Sequence, residues 1–395
     1  MSAGRVLMVE EGGVGGVADY SADLCAALGR AGWAVELATA RDHRFAPTAD
    51  VRVHRVFPYV RGRNAVGRAV RRARLSKPVN GLTHLAANVA LLRIARSCDA
   101  VHVQGGEWPP LGALQALLFD AVGQPIVWTP HNTFDRAGSA HARARDLTVR
   151  HAAAVIVHAE HDSAGMTPEQ NAKTVVIPHG EYGGLARRGA PGADPAAARA
   201  ALGIPDDALV ALMFGQLRPD KGIADLLAAA ADTSGVHVVL AGEDKGALAE
   251  SAALLADPRL AGRVTVRAGF VEQGDVGPLF AAADVVALPY RVASASGVLL
   301  LAYGYGRPVI AYPVGGLPEY VEEGVSGWVC AAAEPSALAD RLREAAHLGR
   351  DGCHALGERA RAMSDERYSW DAIAARTIAL YGEVLEGRYH RRSAR

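Results

Sequence analysis

Short apolar, β-branched runs alternate with Ala/Leu-rich helical stretches along almost the whole chain, and this alternation leaves few folds open. In the first half RVLMV, AVELAT, AVHV, PIVWT, AVIVH and TVVIP read as strands, and in the second LVALMF, VHVVLA, VTVRA, VVALP and PVIAY read the same way. Near-continuous apolar strands separated by helices build parallel sheets covered on both faces. At 395 residues the chain exceeds one ordinary core, so two such domains are expected. The alternation pauses once, at GGLARRGAPGADPAAARAALGIPDD, a Gly/Pro/Ala-rich linker. Inside it Asp194 and Pro195 read as the N-cap and first residue of a helix, PAAARAALG. No fixed-period repeat accompanies the pattern. The fold class expected is α/β, two Rossmann-like, doubly wound parallel-sheet domains facing a cleft, residues 1–185 and 186–368.

Composition narrows the function classes. A formal net charge of zero argues against a general nucleic-acid binder. The cysteines, Cys25, Cys98, Cys330 and Cys353, are far apart and make no metal-like or redox spacing, which fits a reduced, cytoplasmic compartment. The stretch MSAGRVLMVEEGG has too short an apolar core for a signal peptide, and no window approaches eighteen uninterrupted apolar residues. Any membrane contact is therefore expected to be peripheral. From Val51 to Cys98 there is no Asp or Glu, while Arg61, Arg63, Arg68, Arg71, Arg72, Arg74 and Lys77 crowd residues 61–77. Val66, Ala69, Val70 and Ala73 fall on one helical face with Arg68, Arg71 and Arg72 largely opposite. That pattern suits an anionic membrane surface at the inner face or an acidic substrate; a solvated basic helix is the equal alternative.

Ligands of doubly wound sheets bind at the carboxyl ends of strands, in the loops that enter helices. After the first strand come Gly12, Gly13, Gly15 and Gly16, then Val17, Tyr20, Leu24 and Leu28 at helical spacing. Such a loop brings backbone amides to an anion at a helix N-terminus, or serves as a tight packing turn. It is not the dinucleotide fingerprint: the glycine spacing differs and no acidic residue closes the second strand. GQLRPDKG, after LVALMF, sets Arg218 and Lys221 three residues apart at a strand-to-helix turn, placed to hold a diphosphate. His131, in VWTPHNTF, follows a buried strand on the same edge as the glycine loop.

This ordered set of motifs resembles the retaining glycosyltransferases of the GT-B fold, the group 1, family 4 type that uses nucleotide-activated sugars. The resemblance spans nearly the whole chain: GGVGGVADY, VHVQGGEWPP, TPHN, VIPHG, GQLRPDKG, VVLAGE, AGFV, ADVVALPY, SGVLLLAYGYGRPVIAYPVGGLPEYVEEGVSGWV and YSWDAIAARTIALY. The penultimate block is the most specific, through its Gly-x-Pro-Val and Gly-Gly-x-x-Glu spacing. The resemblance implies an acceptor-binding first domain and a nucleotide-sugar-binding second one. It also implies that residues 369–395 are a crossover helix, Trp370 to Leu385, and a basic tail packed on the first domain.

Carried over residue by residue, Gly15 and Gly16 face the donor phosphates, His131 contacts the donor sugar, and Arg218 and Lys221 neutralise the diphosphate. Glu243, Phe270 and Val271 lie near the nucleobase. Many family members carry two glutamates eight positions apart where this chain has Ala293 and Leu301. What remains is Ser296, Gly297 and Val298, read as a hydroxyl and amides offered to phosphate at a helix start. Glu319 is read either as a ribose contact or as the cap of a helix EYVEEG. On the acceptor side stand Asp19, Glu107 and Trp108, the tryptophan offering an apolar platform for a sugar or cyclitol.

The implied activity moves a hexosyl group from a UDP- or GDP-sugar to a hydroxyl of a saccharide, cyclitol or lipid-linked acceptor. Fixed cations and amides stabilise the departing diphosphate, with no metal or other cofactor expected. A nucleotide-sugar epimerase and a non-catalytic subunit of the same fold are the alternatives.

Overall fold

The computed structural model describes residues 4–13, 16–41, 43, 45, 47–57, 76–105, 109–131, 139–164, 166–181, 193–294 and 296–393. The chain folds as two compact units, Met1–Pro178 with Trp370–Arg395, and His179–Ser369.

The first unit holds seven parallel strands among its described residues. They are β1 (Arg5–Glu10), β2 (Ala34–Ala40), β3 (Val51–Phe57), β4 (Ala100–Gln104), β5 (Ile126–Thr129), β6 (Ala154–Val157) and β7 (Thr174–Val176), in the order β3-β2-β1-β4-β5-β6-β7. Helices α1 (Gly16–Arg30), α2 (Ser76–Ala95), α3 (Pro109–Ala121) and α4 (Ser139–His151) connect strands. Because side chains alternate across a strand, β1 feeds two cores. Val6 and Met8 join Tyr20, Leu24 and Leu28 on one face; Leu7 and Val9 join Phe57, Leu91 and Phe119 on the other.

The second unit holds β8 (Leu209–Phe214), β9 (Val236–Gly242), β10 (Val264–Ala268), β11 (Val285–Leu288), β12 (Val309–Ala311) and β13 (Gly327–Val329), ordered β10-β9-β8-β11-β12-β13 and parallel throughout. Its principal helices are α5 (Pro195–Leu202), α6 (Ile223–Ala231), α7 (Gln273–Ala282), α8 (Gly297–Gly304) and α9 (Pro335–Arg367), the last kinked at Gly349. The expected start of α5 holds: the Asp194 carboxylate accepts from the Ala196 and Ala197 amides, and Pro195 opens the helix. Helix α10 (Trp370–Ser393) returns to the first unit, burying Trp370, Ile373, Ala374 and Tyr381 beside Tyr20 and Trp33.

Two strands escaped the reading of apolar runs. β3 lies at a sheet edge and carries Arg52, His54 and Arg55 between its apolar residues, so it lacks the continuous apolar signature. β13 is only three residues long. The expected basic helical face at Val66–Ala73 lies outside the described residues.

α5 is locked to its sheet by a buried ion pair. Arg199 donates to Asp284 at 2.6 Å and to the carbonyls of Ala282 and Ala208. Asp284 also accepts the Val210 amide at 2.7 Å. Burial alone pulls the Asp284 carboxyl upward; His354, the Val210 amide and Arg199 together outweigh it and hold the group below its ordinary value. Asp284→Ala leaves Arg199 charged and unpaired, so urea denaturation should show a loss of about 3–5 kcal/mol. A depressed folded-state carboxyl gives stability that is present above its unfolded value near ~3.9 and lost as pH falls through the folded value. The gap between wild type and Asp284→Ala should accordingly narrow only in strong acid.

Candidate active site

In both sheets the strand order reverses at one place, between β1 and β4 and between β8 and β11. The loops leaving the carboxyl ends of those strands diverge to opposite faces and leave a crevice for ligands.

In the second unit, β8 runs into Gly215–Gly222. Leu217 is buried and its amide bonds the Glu243 carbonyl at 2.9 Å, so this loop rests on the one that follows β9. Arg218 forms a fork with Asp220, Nε to Oδ1 at 2.9 Å and a terminal nitrogen to Oδ2 at 2.8 Å. That hydrogen-bonded pairing raises the Arg218 pKa and lowers that of Asp220, so both stay charged. A short 3-10 turn, Pro219–Lys221, then delivers Lys221, whose Nζ sits 3.5 Å from the centroid of the Tyr290 ring.

Tyr290 comes from the loop after β11. Burial pushes its phenol up to about 12 even though a hydrogen bond with the Ser296 side chain works the other way. Arg291, next in line, ties the two loops: its amide donates to the Asp220 carbonyl at 2.9 Å and its guanidinium to Asp225 at 2.6 Å.

Glycines allow this convergence. Gly222 has φ 71° and a Cβ there would overlap the Pro289 carbonyl oxygen. Gly315, at φ 59°, lies equally close to the Ala293 carbonyl, and the Gly316 amide donates to the Ser294 carbonyl at 2.9 Å. The Gly-Gly-x-x-Glu motif therefore fixes the loop that enters α8. There Ser296 is the N-cap, its hydroxyl oxygen accepting from the Leu299 amide at 3.4 Å. The Ser296 oxygen therefore already accepts in capping α8 and meets Tyr290, while its O–H proton is not used by the cap. The Gly297 and Val298 amides are the first-turn donors left at that helix start.

Glu319 lies in a 3-10 turn, Leu317–Tyr320, and is exposed; no helix EYVEEG follows, which removes the capping alternative. Glu243 is exposed and ion-paired with Lys245 at 2.5 Å. Phe270, 79% exposed, and half-buried Val271 follow β10 and line a pocket of about 380 Å³ with Arg267, Asp275 and Leu202.

In the first unit, the buried Glu10 carboxylate at the end of β1 accepts from the Gly13 amide at 2.9 Å and from Thr39 at 2.8 Å. It shapes the glycine loop, with Gly13 at φ 70°, before α1 opens at exposed Gly16. Asp19 is exposed on the first turn of α1; Gly15, Glu107 and Trp108 lie outside the described residues. His131 follows β5. Its Nε2 meets Gln104 Oε1 at 2.8 Å, and its ring lies 4.7 Å from Tyr20 and 5.3 Å from His158. Burial brings the His158 pKa down to about 4, against the upward effect of its bond to the Ile177 carbonyl.

The structure thus gathers Arg218, Lys221, Ser296, Gly297 and Val298 at one switch point, and sets His131 beside Gln104 at the end of β4 and Tyr20 on α1. Sequence reading passed over Asp220, Tyr290, Arg291 and Gly315 in the second unit, and Glu10 and Gln104 in the first. Polar residues in otherwise apolar strands, as in AVHVQ, were the available signal.

Residues 195–363 match the family model "Glycosyl transferases group 1", and residues 15–180 match "Glycosyl transferase 4-like domain". The chain belongs to the group 1 glycosyltransferases. It is 29% identical over 404 aligned positions to D-inositol 3-phosphate glycosyltransferase of Mycobacterium tuberculosis, covering 96% of this chain and 81% of that protein. Among solved structures, Anabaena Alr3699/HepE in complex with UDP matches with a TM-score of 0.74 at 20% identity, covering 96% of this chain and all of that one. The catalytic domain of Arabidopsis thaliana Starch Synthase IV bound to ADP and acarbose matches with a TM-score of 0.75 at 17% identity, over 98% of this chain and all of that one. The fold is GT-B.

Two glycines separate close approach from mere flexibility in this glycosyltransferase. Gly315→Ala should lower the unfolding temperature and speed hydrogen exchange at the Gly316 amide, at a cost of about 1–3 kcal/mol. Gly274→Ala, in α7 with open space around it, should instead be neutral or stabilising by up to about 1 kcal/mol.

Proposed function

We propose that this glycosyltransferase moves a hexosyl group, with retention of anomeric configuration, from a nucleotide sugar to an acceptor hydroxyl without a metal ion. UDP- or GDP-sugars are the donors favoured. The observation that carries the reading is the β8–β11 switch point, where Arg218 and Lys221 adjoin the start of α8. Departure of a nucleoside diphosphate leaves negative charge on its phosphate oxygens. Two cations and a helix N-terminus with unspent amides favour that charge as it develops, in a site already organised for it.

Arg218 exchanges part of its fork with Asp220 for a phosphate oxygen. Lys221 leaves or keeps the Tyr290 face at small cost, since a cation over a ring is worth only about 0.5–2 kcal/mol. His131 serves the reacting sugar. The Gly297 and Val298 amides serve the phosphates, and the backbone around Phe270 and Val271 serves the base. The related inositol-phosphate enzyme makes a cyclitol acceptor the first to try. The acid-free basic stretch 61–77 keeps a lipid-linked acceptor, and peripheral contact with an anionic membrane, as the second. No helix among the described residues is long and apolar enough to cross a membrane.

Proton NMR of the product's anomeric signal, with UDP- and GDP-hexoses and inositol phosphate, tests the reaction; transfer with inversion would overturn the stereochemical part. An epimerised donor with no acceptor present would replace transfer by epimerisation. Arg218→Ala and Lys221→Ala should each lower kcat/KM about 10²–10³-fold with circular dichroism unchanged. Chelation by EDTA should leave turnover intact; loss restored by added Mg²⁺ or Mn²⁺ would contradict the metal-free reading.

A further inference from the structure

A chain of buried polar side chains runs from the C-terminal helix to His131. Tyr381 on α10 and His102 on β4 are wholly buried, and Gln104 is 2% exposed. His102 Nδ1 lies 2.6 Å from the Tyr381 hydroxyl. His102 Nε2 lies 2.7 Å from Thr129 Oγ1 and 3.1 Å from Gln104 Nε2. The other end of the same amide, Oε1, lies 2.8 Å from His131 Nε2.

The proton positions follow from donor chemistry. An amide NH₂ only donates, so His102 Nε2 is an acceptor and His102 carries its proton on Nδ1, donating to Tyr381. An amide carbonyl only accepts, so His131 donates from Nε2. Burial, with a further push from His158, brings the His102 pKa down to about 3 and keeps the ring neutral, which keeps the amide in this orientation. Among the described residues, the Tyr20 and His158 rings lie 4.7 and 5.3 Å from that of His131, and burial holds the His158 pKa at about 4.

We propose that Gln104 and His102, anchored by Tyr381, are positioning residues that keep the His131 proton on Nε2, so that Nδ1 is the acceptor nitrogen offered to a hydroxyl of the donor sugar. The value of such a relay is preorganisation: a reacting group fixed in place and tautomer spares its reorientation during turnover. It also gives α10 a role beyond packing, because the helix supplies the terminal hydroxyl. The catalytic part of this inference rests on the transfer reaction proposed above; the tautomer part does not.

Two measurements separate those parts. In histidine ¹⁵N–¹H correlation spectra, with His131→Gln to assign the signal, wild type should show His131 protonated at Nε2. Gln104→Met should shift it toward a mixture of tautomers. A wild-type Nδ1–H tautomer, or a Gln104→Met spectrum identical to wild type, overturns the proposal whether or not the protein transfers sugar. In turnover, Gln104→Met should lower kcat about 10–100-fold with donor KM nearly unchanged, and should cost nothing further in a His131→Ala background. An undiminished effect in that background overturns the assignment. Tyr381→Phe, which keeps the ring in the core, should reproduce the direction more weakly; a Tyr381→Phe enzyme with wild-type kcat removes α10 from the relay. Absence of transfer by wild type defeats the functional reading alone.

Discussion

The candidate site depends on three of the backbone contacts in the C-terminal unit that are closer than any side chain allows. Gly222 lies against the Pro289 carbonyl, Gly242 against the Gly215 carbonyl, and Gly315 against the Ala293 carbonyl. Each contact joins two loops that leave different strands: β8 to β11, β9 to β8, and β12 to β11. A parallel sheet places its loops at one edge but does not bring them together; glycine does, at positive φ. The convergence of Arg218, Lys221, Tyr290 and Ser296 is thus a backbone property first and a side-chain property second.

Charge is then arranged at low cost to the fold. Arg218 and Lys221 are held by Asp220 and the Tyr290 ring, so each cation has a partner within the fold. The N-terminal unit arranges its polar groups through hydrogen bonds instead. Glu10 holds the Gly13 amide through its carboxylate, while Gln104 bonds His131 and is itself bonded to His102, which meets Tyr381.

Much of this was legible in the sequence because it follows local rules. Continuous apolar runs gave the central strands, Asp194–Pro195 gave the start of α5, and glycines around Arg218 and Lys221 marked a strand-to-helix turn. What escaped depended on distant partners. Tyr290 reads as the end of an apolar strand until Lys221 is seen on its ring. Gln104 and His102 read as odd residues in a strand until Tyr381, more than 270 positions later in the chain, completes their bonding. Glu319 was open between two roles, and the absence of a helix after it removed one. β3 was lost because an edge strand is patterned by solvent as much as by the core.

The central claim is that the β8–β11 switch point grips a diphosphate. Titration calorimetry of wild type and the Arg218→Ala/Lys221→Ala double variant, with UDP, GDP and ADP and with the matching nucleosides, tests it most directly. One diphosphate should bind wild type well above its nucleoside, and the double variant should erase that advantage while leaving nucleoside affinity as it was. Equal affinity for nucleoside and diphosphate in wild type, or an advantage untouched by the double variant, would contradict the account.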